Sequence, residues 1–265
     1  MSNVDASAKH WLAIETSTDT LSLAVARGDH VWVHTSPGGA QASLQTLPQI
    51  QALMAQAELD FGDLHAVVFG RGPGAFTGLR TACSVAQGLA FGAEIPVLPV
   101  DTLLAVAEEA RHAQQRLLPV DALAHAIPVR VLAVLDARMD QVYAAAYEHT
   151  QGVWTCVQEA ALHSPNALTW PKTWEDGASF MAAGNAWTTY AGRWPVAFNA
   201  AQVSALPTAS ALLRLTPHAW AAGLAVPPEQ ALPLYVRDKV AQTTQERILA
   251  KQQVPVSQTT HRPAA

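Results

Sequence analysis

The stretch Phe69-Gly70-Arg71-Gly72-Pro73-Gly74-Ala75-Phe76-Thr77-Gly78-Leu79-Arg80 lies between two predicted elements. An apolar run at residues 66–69 predicts a buried strand, and a run rich in small residues at 81–92 predicts a helix. Gly70, Gly72, Gly74 and Gly78 allow positive φ angles and a close approach of the backbone to another group. The sequence therefore predicts a strand, a glycine-rich loop and a helix in succession.

Two interpretations of this loop are open. A glycine-rich loop before a helix presents unpaired N–H groups and the positive end of the helix dipole, which together favour phosphate. The same glycines also suit a tight packing loop, because they let two segments of backbone meet closely. The loop has neither the Gly-Lys-Ser/Thr of a P-loop nor the glycine order of a dinucleotide-binding fingerprint.

Composition describes a globular chain and excludes several classes of protein. Of 265 residues, 50% are hydrophobic and 14% are charged. The formal net charge of -5 argues against non-specific binding of nucleic acid by this chain alone. If a nucleic acid is involved, we expect another subunit to supply the basic surface. Cys83 and Cys156 form no CxxC pattern, which fits a reducing compartment. No apolar stretch is long enough to cross a membrane, so we expect a cytoplasmic protein without a membrane partner.

The order of predicted elements indicates a duplicated α/β fold. Strands are predicted at 11–15, 21–26, 30–35, 66–69, 97–100, 129–136, 141–147 and 153–158, and helices at 44–57, 81–92, 101–110 and 210–222. Asp101 is predicted to cap the third helix. Three strands open each half, which predicts an actin-like (ASKHA, ribonuclease H-like) fold of two tandem subdomains, each with a mixed sheet and flanking helices.

The predicted divisions follow from this order. They are a disordered N-terminus at 1–9, a first actin-like subdomain with the glycine-rich loop at 10–111, a second, degenerate subdomain at 112–206, a C-terminal helix and closing segment at 207–238, and a disordered tail at 239–265. In an actin-like fold the turn after the first strand cradles phosphate. Glu15, Thr16 and Ser17 are therefore candidate nucleotide-binding residues, and the alternative is an ordinary polar hairpin.

Candidate catalytic and metal-binding groups are scarce. His30 and His34 are the only histidines spaced four apart, and they lie in a predicted strand, where about 3.3 Å per residue separates them by roughly 13 Å. One metal ion cannot bridge that distance, so no metal site is predicted. Asp136 and Asp140 could form a carboxylate pair, or could flank a hairpin in which Arg138 neutralises one of them. Cys83 is predicted to lie in the core.

Several motifs together resemble the TsaB (YeaZ) family. They are Leu12-Ala13-Ile14-Glu15-Thr16-Ser17, Gly70-Arg71-Gly72-Pro73-Gly74-Ala75-Phe76-Thr77-Gly78-Leu79-Arg80, Gln87-Gly88-Leu89-Ala90, Leu135-Asp136-Ala137-Arg138 with Val142-Tyr143, and Pro233-Leu234-Tyr235-Val236-Arg237. The resemblance covers about residues 11–238. Ala42 stands where many members of the family carry a histidine.

The resemblance implies a non-catalytic subunit of the bacterial complex that forms N6-threonylcarbamoyladenosine in tRNA next to the anticodon. It implies a TsaD-like catalytic partner with the same fold, a TsaE-like ATPase, a homodimer when the chain is alone, and contact with tRNA only through the complex. It also implies no cofactor of its own, with ATP or ADP bound at the complex interface. The alternative is an active actin-fold enzyme, either an ATP-dependent kinase or a metallopeptidase.

The resemblance also places the partner interface on the helices of the first subdomain. The first helix carries more apolar residues than one core face needs, and the helix after the loop is rich in small residues that let another helix approach. The candidate interface residues are Leu44, Leu47, Gln51, Phe76, Thr77, Arg80, Ala82, Ala86 and Ala90. The alternative is that both helices only pack on their own sheet.

Overall fold

The computed structural model describes residues 9–39, 42–117, 128–174, 180–199 and 201–237. The predicted disordered tail at 239–265, residues 1–8 of the predicted disordered N-terminus and residues 118–127 of the second predicted subdomain lie outside these ranges. None of the described helices combines the length and the apolar character that crossing a membrane requires.

The described strands form two five-stranded sheets. The first sheet contains β1 (His10–Glu15), β2 (Thr20–Arg27), β3 (His30–Pro37), β4 (Ala66–Gly72) and β5 (Val97–Asp101). The second contains β6 (Val129–Arg138), β7 (Gln141–Thr150), β8 (Val153–His163), β9 (Phe180–Gly184) and β10 (Gln202–Ser204). Each of the eight strands predicted from the sequence lies inside an observed strand, so those predictions are confirmed.

Four α-helices accompany the sheets in the described residues: α1 (Ala42–Ala57), α2 (Phe76–Ala93), α3 (Thr102–Gln115) and α4 (Ala209–Ala221). The hydroxyl of Thr208 caps α4 by accepting the N–H of Ala211 at 3.0 Å. Helix α2 begins five residues before the predicted start at 81, because the last part of the glycine-rich loop is already helical.

The two sheets share one topology. The first has the order β3-β2-β1-β4-β5, and the second, read in the matching direction, has β8-β7-β6-β9-β10. In each sheet the opening three strands are antiparallel neighbours. The next two strands join in parallel, on the first strand of the set. The predicted duplication, and with it the actin-like (ribonuclease H-like) fold class, is confirmed.

Helices cover both faces of the first sheet. Helices α1 and α2 pack on one face through residues such as Ile50, Met54 and Ala86. Helix α4 packs on the other face through Leu212. Helix α3 packs mainly on the second sheet, through Val106. Because α3 and α4 each belong to the other half in sequence order, the two halves are held together by exchanged helices.

Two predictions differ from the structure around α3. Asp101 does precede the helix, but its side chain makes no capping hydrogen bond. It binds Arg71 instead, with 2.5 Å between Nε and Oδ1. The second difference concerns the predicted boundary at residue 111, since α3 continues without a break to Gln115. A charged partner thirty positions earlier in the chain redirects a side chain that local sequence would assign to capping.

Two glycines of α2 offer a matched test of how closely this helix packs against the turn after β1. A Cβ atom at Gly78 would overlap the backbone carbonyl of Thr16, whereas a Cβ at Gly88 would meet nothing within 4 Å. We expect Gly78→Ala to lower the free energy of unfolding by several kcal/mol, on the order of an overpacked core. Gly88→Ala should raise it by about 0.5–1 kcal/mol, since alanine is the better helix former. Urea denaturation of both variants measures the difference, and equal effects would contradict the packing described.

Candidate functional site: a closed cleft and an exposed helical face

The glycine-rich loop packs directly against the turn after β1. A Cβ atom at Gly70 would overlap the Glu15 carboxylate, and one at Gly74 would lie 2.5 Å from the carbonyl oxygen of Ser17. The N–H of Ala75 donates to that carbonyl at 2.7 Å. The structure therefore assigns these glycines to close packing, the second of the two interpretations of the loop. The remaining residues of the predicted loop motif are Arg71, which pairs with Asp101, and the cis-linked Gly72 and Pro73.

Glu15, Thr16 and Ser17, the candidate nucleotide-binding residues, are buried beneath this loop, with 1%, 2% and 2% of their surface exposed. The Ser17 N–H donates to Oε1 of Glu15 at 2.6 Å, and the Thr102 hydroxyl donates to its Oε2 at 3.5 Å. The Thr16 hydroxyl donates to the Gly78 carbonyl at 2.7 Å. The Glu15 carboxylate and the Thr16 hydroxyl thus bind the chain's own groups, whereas Ser17 borders the cleft cavity and its hydroxyl meets no partner among the described residues. Nucleotide binding at these residues stays a prediction.

The electrostatics of Glu15 follow from this burial. Removal from water raises the pKa of Glu15 above its ordinary value of 4.5, and the hydrogen bonds from Ser17 and Thr102 act in the opposite direction. A magnesium-binding carboxylate would instead be exposed and ionised.

The turn between β6 and β7 closes the cleft between the two sheets. Arg138 on this turn donates to Asp19 of the first half at 2.7 Å and to Asp136 at 3.1 Å. Two adjoining cavities of about 200 Å³ each remain at the cleft, and both are lined by Arg138. Each is smaller than the usual ligand pocket of about 300–1,000 Å³.

Asp136 and Asp140 do not form a carboxylate pair. Asp136 accepts from Arg138 and from the hydroxyl of Tyr190 at 2.8 Å, while Asp140 pairs with Arg193. Burial and the bond to Asp136 raise the pKa of Tyr190 to about 12, so its hydroxyl stays protonated as the donor. The hairpin with a local ion pair is therefore the correct alternative.

Metal-binding geometry is also lacking in the described ranges. His30 and His34 lie on β3, as predicted. No three His, Cys, Asp or Glu side chains among the described residues are grouped closely enough to hold a metal ion. Cys83 is buried and its thiol donates to the Ala231 carbonyl at 3.4 Å, which confirms its place in the core. Ala42, which stands in place of the family's histidine, is buried at the start of α1.

The candidate interface residues divide into two groups. Leu44, Leu47, Gln51, Thr77 and Arg80 are exposed on α1 and α2. Ala82, Ala86 and Ala90 have no exposed surface and belong to the core under the first sheet, so their assignment to an interface is wrong. The helical phase explains the error, since these alanines repeat every four residues on the face that also holds Leu79 and Cys83.

The outer face of α2 was predicted only in part, since the sequence did not single out Ser84 or Phe91. It consists of Ser84, Gly88, Phe91 and Gly92, which are all exposed. Phe91 has 75% of its surface exposed, an unusual value for a phenylalanine within a helix. The same helical spacing that buries the alanines would have found this face, because Ser84, Gly88 and Gly92 lie two positions after the buried alanines and point outward.

The start of α2 carries a cation on an aromatic pair. The Arg80 guanidinium lies 3.8 Å from the centre of the Phe76 ring, and its Nε donates to the Tyr235 hydroxyl at 3.2 Å. The rings of Phe76 and Tyr235 lie 4.9 Å apart. Phe76 and Arg80 thus hold the closing segment of the chain, which contains Tyr235, against α2. Arg80 itself remains exposed on α2.

Two sheets of equal topology, exchanged helices and a cleft between the halves define an actin-like α/β protein. The family model described as "TsaD: tRNA N6-adenosine threonylcarbamoyltransferase" matches residues 33–263. TsaB of Escherichia coli (strain K12) is 30% identical over 238 residues, which are 87% of this chain and 95% of that protein. The chain belongs to the TsaB (YeaZ) family.

Solved structures agree with this assignment. YeaZ from Pseudomonas aeruginosa has a TM-score of 0.75 and 36% identity, covering 86% of this chain and 99% of that one. A second structure with the same score is described as an uncharacterized protein with similarity to peptidase YEAZ from the same organism. The match to a TsaD model fits the relation of paralogues that the sequence resemblance implies.

The buried carboxylate of Glu15 predicts a pH effect on folding. Its folded pKa is raised, so its ionisation opposes folding, and the stability it contributes at low pH is lost as the pH rises above about 4.5. We expect Glu15→Gln, which keeps the shape but cannot ionise, to flatten this loss between pH 5 and 8. Chemical denaturation across that range measures it, with Glu58→Gln on the exposed side of the fold as control. A profile for Glu15→Gln that coincides with the parent would contradict the assignment.

Proposed function

We propose that this chain is a non-catalytic subunit of the complex that forms N6-threonylcarbamoyladenosine in tRNA next to the anticodon. It binds a TsaD-like catalytic subunit and supports its active state. The E. coli relative is named tRNA threonylcarbamoyladenosine biosynthesis protein TsaB, which supports the pathway. The match to the TsaD family model supports a pairing between two related folds.

The observation that carries the proposal is the apolar surface on α1 and α2. We define the α1–α2 surface as Leu44, Leu47, Gln51, Ser84 and Phe91. Its three large apolar side chains, Leu44, Leu47 and Phe91, are 78%, 44% and 75% exposed. Large apolar side chains exposed on a helix are unfavourable in water, and their presence on both α1 and α2 supports a protein-binding surface there.

The glycines of α2 suit this surface to another helix. Gly88 and Gly92 are exposed, and a Cβ atom at either would meet nothing within the chain. Backbone without side chains lets a partner helix approach closely, while Phe91 provides an anchor beside them. A partner of the same fold would present its matching helices through a pseudo-two-fold interface, and a second copy of this chain would use the same surface when the partner is absent.

The competing function is catalysis by the chain itself, as a kinase or a metallopeptidase. It receives little support from the cleft, where Arg138 bridges to Asp19 and two cavities of about 200 Å³ each remain. ATP or ADP, in our proposal, binds at the interface of the complex, and a TsaE-like ATPase joins there. The net charge of -5 supports contact with tRNA through the partner, in the cytoplasm.

A charge placed on the α1–α2 surface should weaken binding of the TsaD-like subunit without unfolding the chain. We expect Leu44→Asp and Phe91→Asp each to weaken binding of the TsaD-like subunit by about tenfold or more, because a carboxylate would be buried in the contact. The melting temperature of the isolated chain should change by about 2 °C or less, as for other exposed sites.

Val196→Asp is the matched control, since Val196 is 83% exposed in the second half of the chain. Calorimetric titration with the purified catalytic subunit gives affinity, and thermal unfolding gives stability. Wild-type affinity in both test variants would place the interface elsewhere.

Activity should belong to the pair and not to this chain. We expect the purified chain to transfer no threonylcarbamoyl group to tRNA. Its melting temperature should not shift when ADP is added at about 1 mM. The complex with the catalytic subunit should transfer the threonylcarbamoyl group and should show a shift in melting temperature with ADP. Turnover by the pure chain, or a nucleotide-dependent shift that Arg138→Ala enlarges, would instead support an enzyme with its own cleft site.

A further inference from the structure

A larger cavity than those at the cleft lies away from the α1–α2 surface. It has a volume of about 920 Å³ and is bordered by α3, α4, the end of β5 and the hairpin between β7 and β8. We call it the α3–α4 groove. Helices α1 and α2 cover one face of the first sheet and α4 covers the other, so the groove and the proposed partner surface are on opposite sides.

The floor of the groove holds two arginines in fixed positions. Glu108, whose side chain is only 3% exposed, accepts two bonds from Arg111 at 2.8 Å and one from Arg214 at 2.8 Å. The indole N–H of Trp154 donates to the same carboxylate at 3.0 Å. These donors overcome the effect of burial and keep the pKa of Glu108 below its ordinary value, so it stays ionised. The guanidinium groups are thereby held rigidly.

The two arginines of the floor each keep one guanidinium nitrogen outside their ion pairs. Both oxygens of Glu108 are engaged, Asp101 is paired with Arg71, and Nη2 of Arg214 also binds Glu109. Within the described residues, Nη1 of Arg111 and Nη1 of Arg214 meet no acceptor. An arginine stays charged at all physiological pH values, so these groups attract an anion.

Two histidines lie at the rim of the groove. His149 and His218 line the groove beside the arginines. Burial and then the charge of Arg111 lower the pKa of His149. A positive neighbour makes protonation of a second group unfavourable, and an incoming anion would relieve that repulsion.

The walls of the groove are apolar. They are formed by Leu104, Trp154, Leu215, Leu224 and Val226. A volume near the upper end of the range for ligand pockets, about 300–1,000 Å³, suits a molecule of several fused or linked rings. Apolar walls give affinity, and the few polar groups on the floor fix the orientation.

We propose that the α3–α4 groove is a binding site for a small organic anion, with a flat apolar body and one carboxylate, sulfonate or phosphate group. The anion binds Arg111 and Arg214, and the body lies against Trp154. Such a ligand would touch α3, α4 and the β7–β8 hairpin at once. It would therefore link elements of both halves and stabilise their relative position. The proposal is independent of the partner surface.

Two probes that differ only in charge test the proposal. One is 8-anilinonaphthalene-1-sulfonate, and the other is N-phenyl-1-naphthylamine, which lacks the sulfonate. We expect the anionic probe to saturate one site on the full chain and to bind at least about tenfold more tightly than the neutral one. Equal affinity of the two probes would overturn the proposal, because it would show apolar binding without recognition of the anion.

A pair of variants locates the site without disturbing the ion pairs. Ala222 is exposed and lines the groove, whereas its exposed neighbour Ala221 does not line it. We expect Ala222→Trp to fill the groove and weaken the sulfonate probe about tenfold, while Ala221→Trp leaves it unchanged. Melting temperatures near the parent value verify that both variants fold. Unchanged binding to folded Ala222→Trp would place the probe elsewhere, for example on the α1–α2 surface, and would overturn the proposal.

Discussion

The close contact between the glycine-rich loop and the turn after β1 determines the position of everything around it. Gly70, Gly74 and Gly78 each approach atoms of residues 15–17 at distances that leave no room for a side chain. The contact fixes where α2 starts and therefore which of its faces meets the sheet. With that phase set, the alanines of α2 are buried and Ser84, Gly88 and Phe91 are left outside. A loop that could have held phosphate is used to position a helix, and the exposed helical face results from it.

Duplication explains the remaining architecture, including the places where the halves differ. Gly184 ends β9 beside β6, as Gly70 approaches the end of β1 from β4, and a Cβ at Gly184 would overlap the carbonyl of Val134. Both sheets thus require a glycine where the parallel strand passes the first strand. The described residues between β8 and β9 form short 3₁₀ turns, with Trp174 packed in an aromatic cluster, where the first half has α1. Among the described residues, the second half has no counterpart of α1 at this place.

Local pattern was enough to predict eight of the ten described strands, the four helices and the duplication, because alternating and helical spacings of apolar residues can be read from neighbouring residues. The short strands β9 and β10 were not predicted. It failed where a side chain is claimed by a distant partner. Asp101 resembles a cap but binds Arg71, and Glu15 resembles a metal-binding carboxylate but is buried under Gly70. The misplacement of Ala86 has a different cause. Small residues suit both a sheet and a partner helix, and only the phase relative to Leu79 distinguishes the two.

The closed cleft and the exposed α1–α2 surface differ in the contacts that would have to break before something could bind there. Residues 138, 139 and 140 all have positive φ angles, of 60°, 53° and 59°, which is strained for side chains other than glycine, by roughly 1 kcal/mol or more each. Arg193 and Arg237 hold this turn from both sides, and Arg138 reaches across to Asp19. Opening the cleft would break these contacts with no ligand group to replace them. Binding at the α1–α2 surface requires no such rearrangement, since its apolar side chains already face water. In the proposed complex, covering them would contribute free energy to association without opening the cleft.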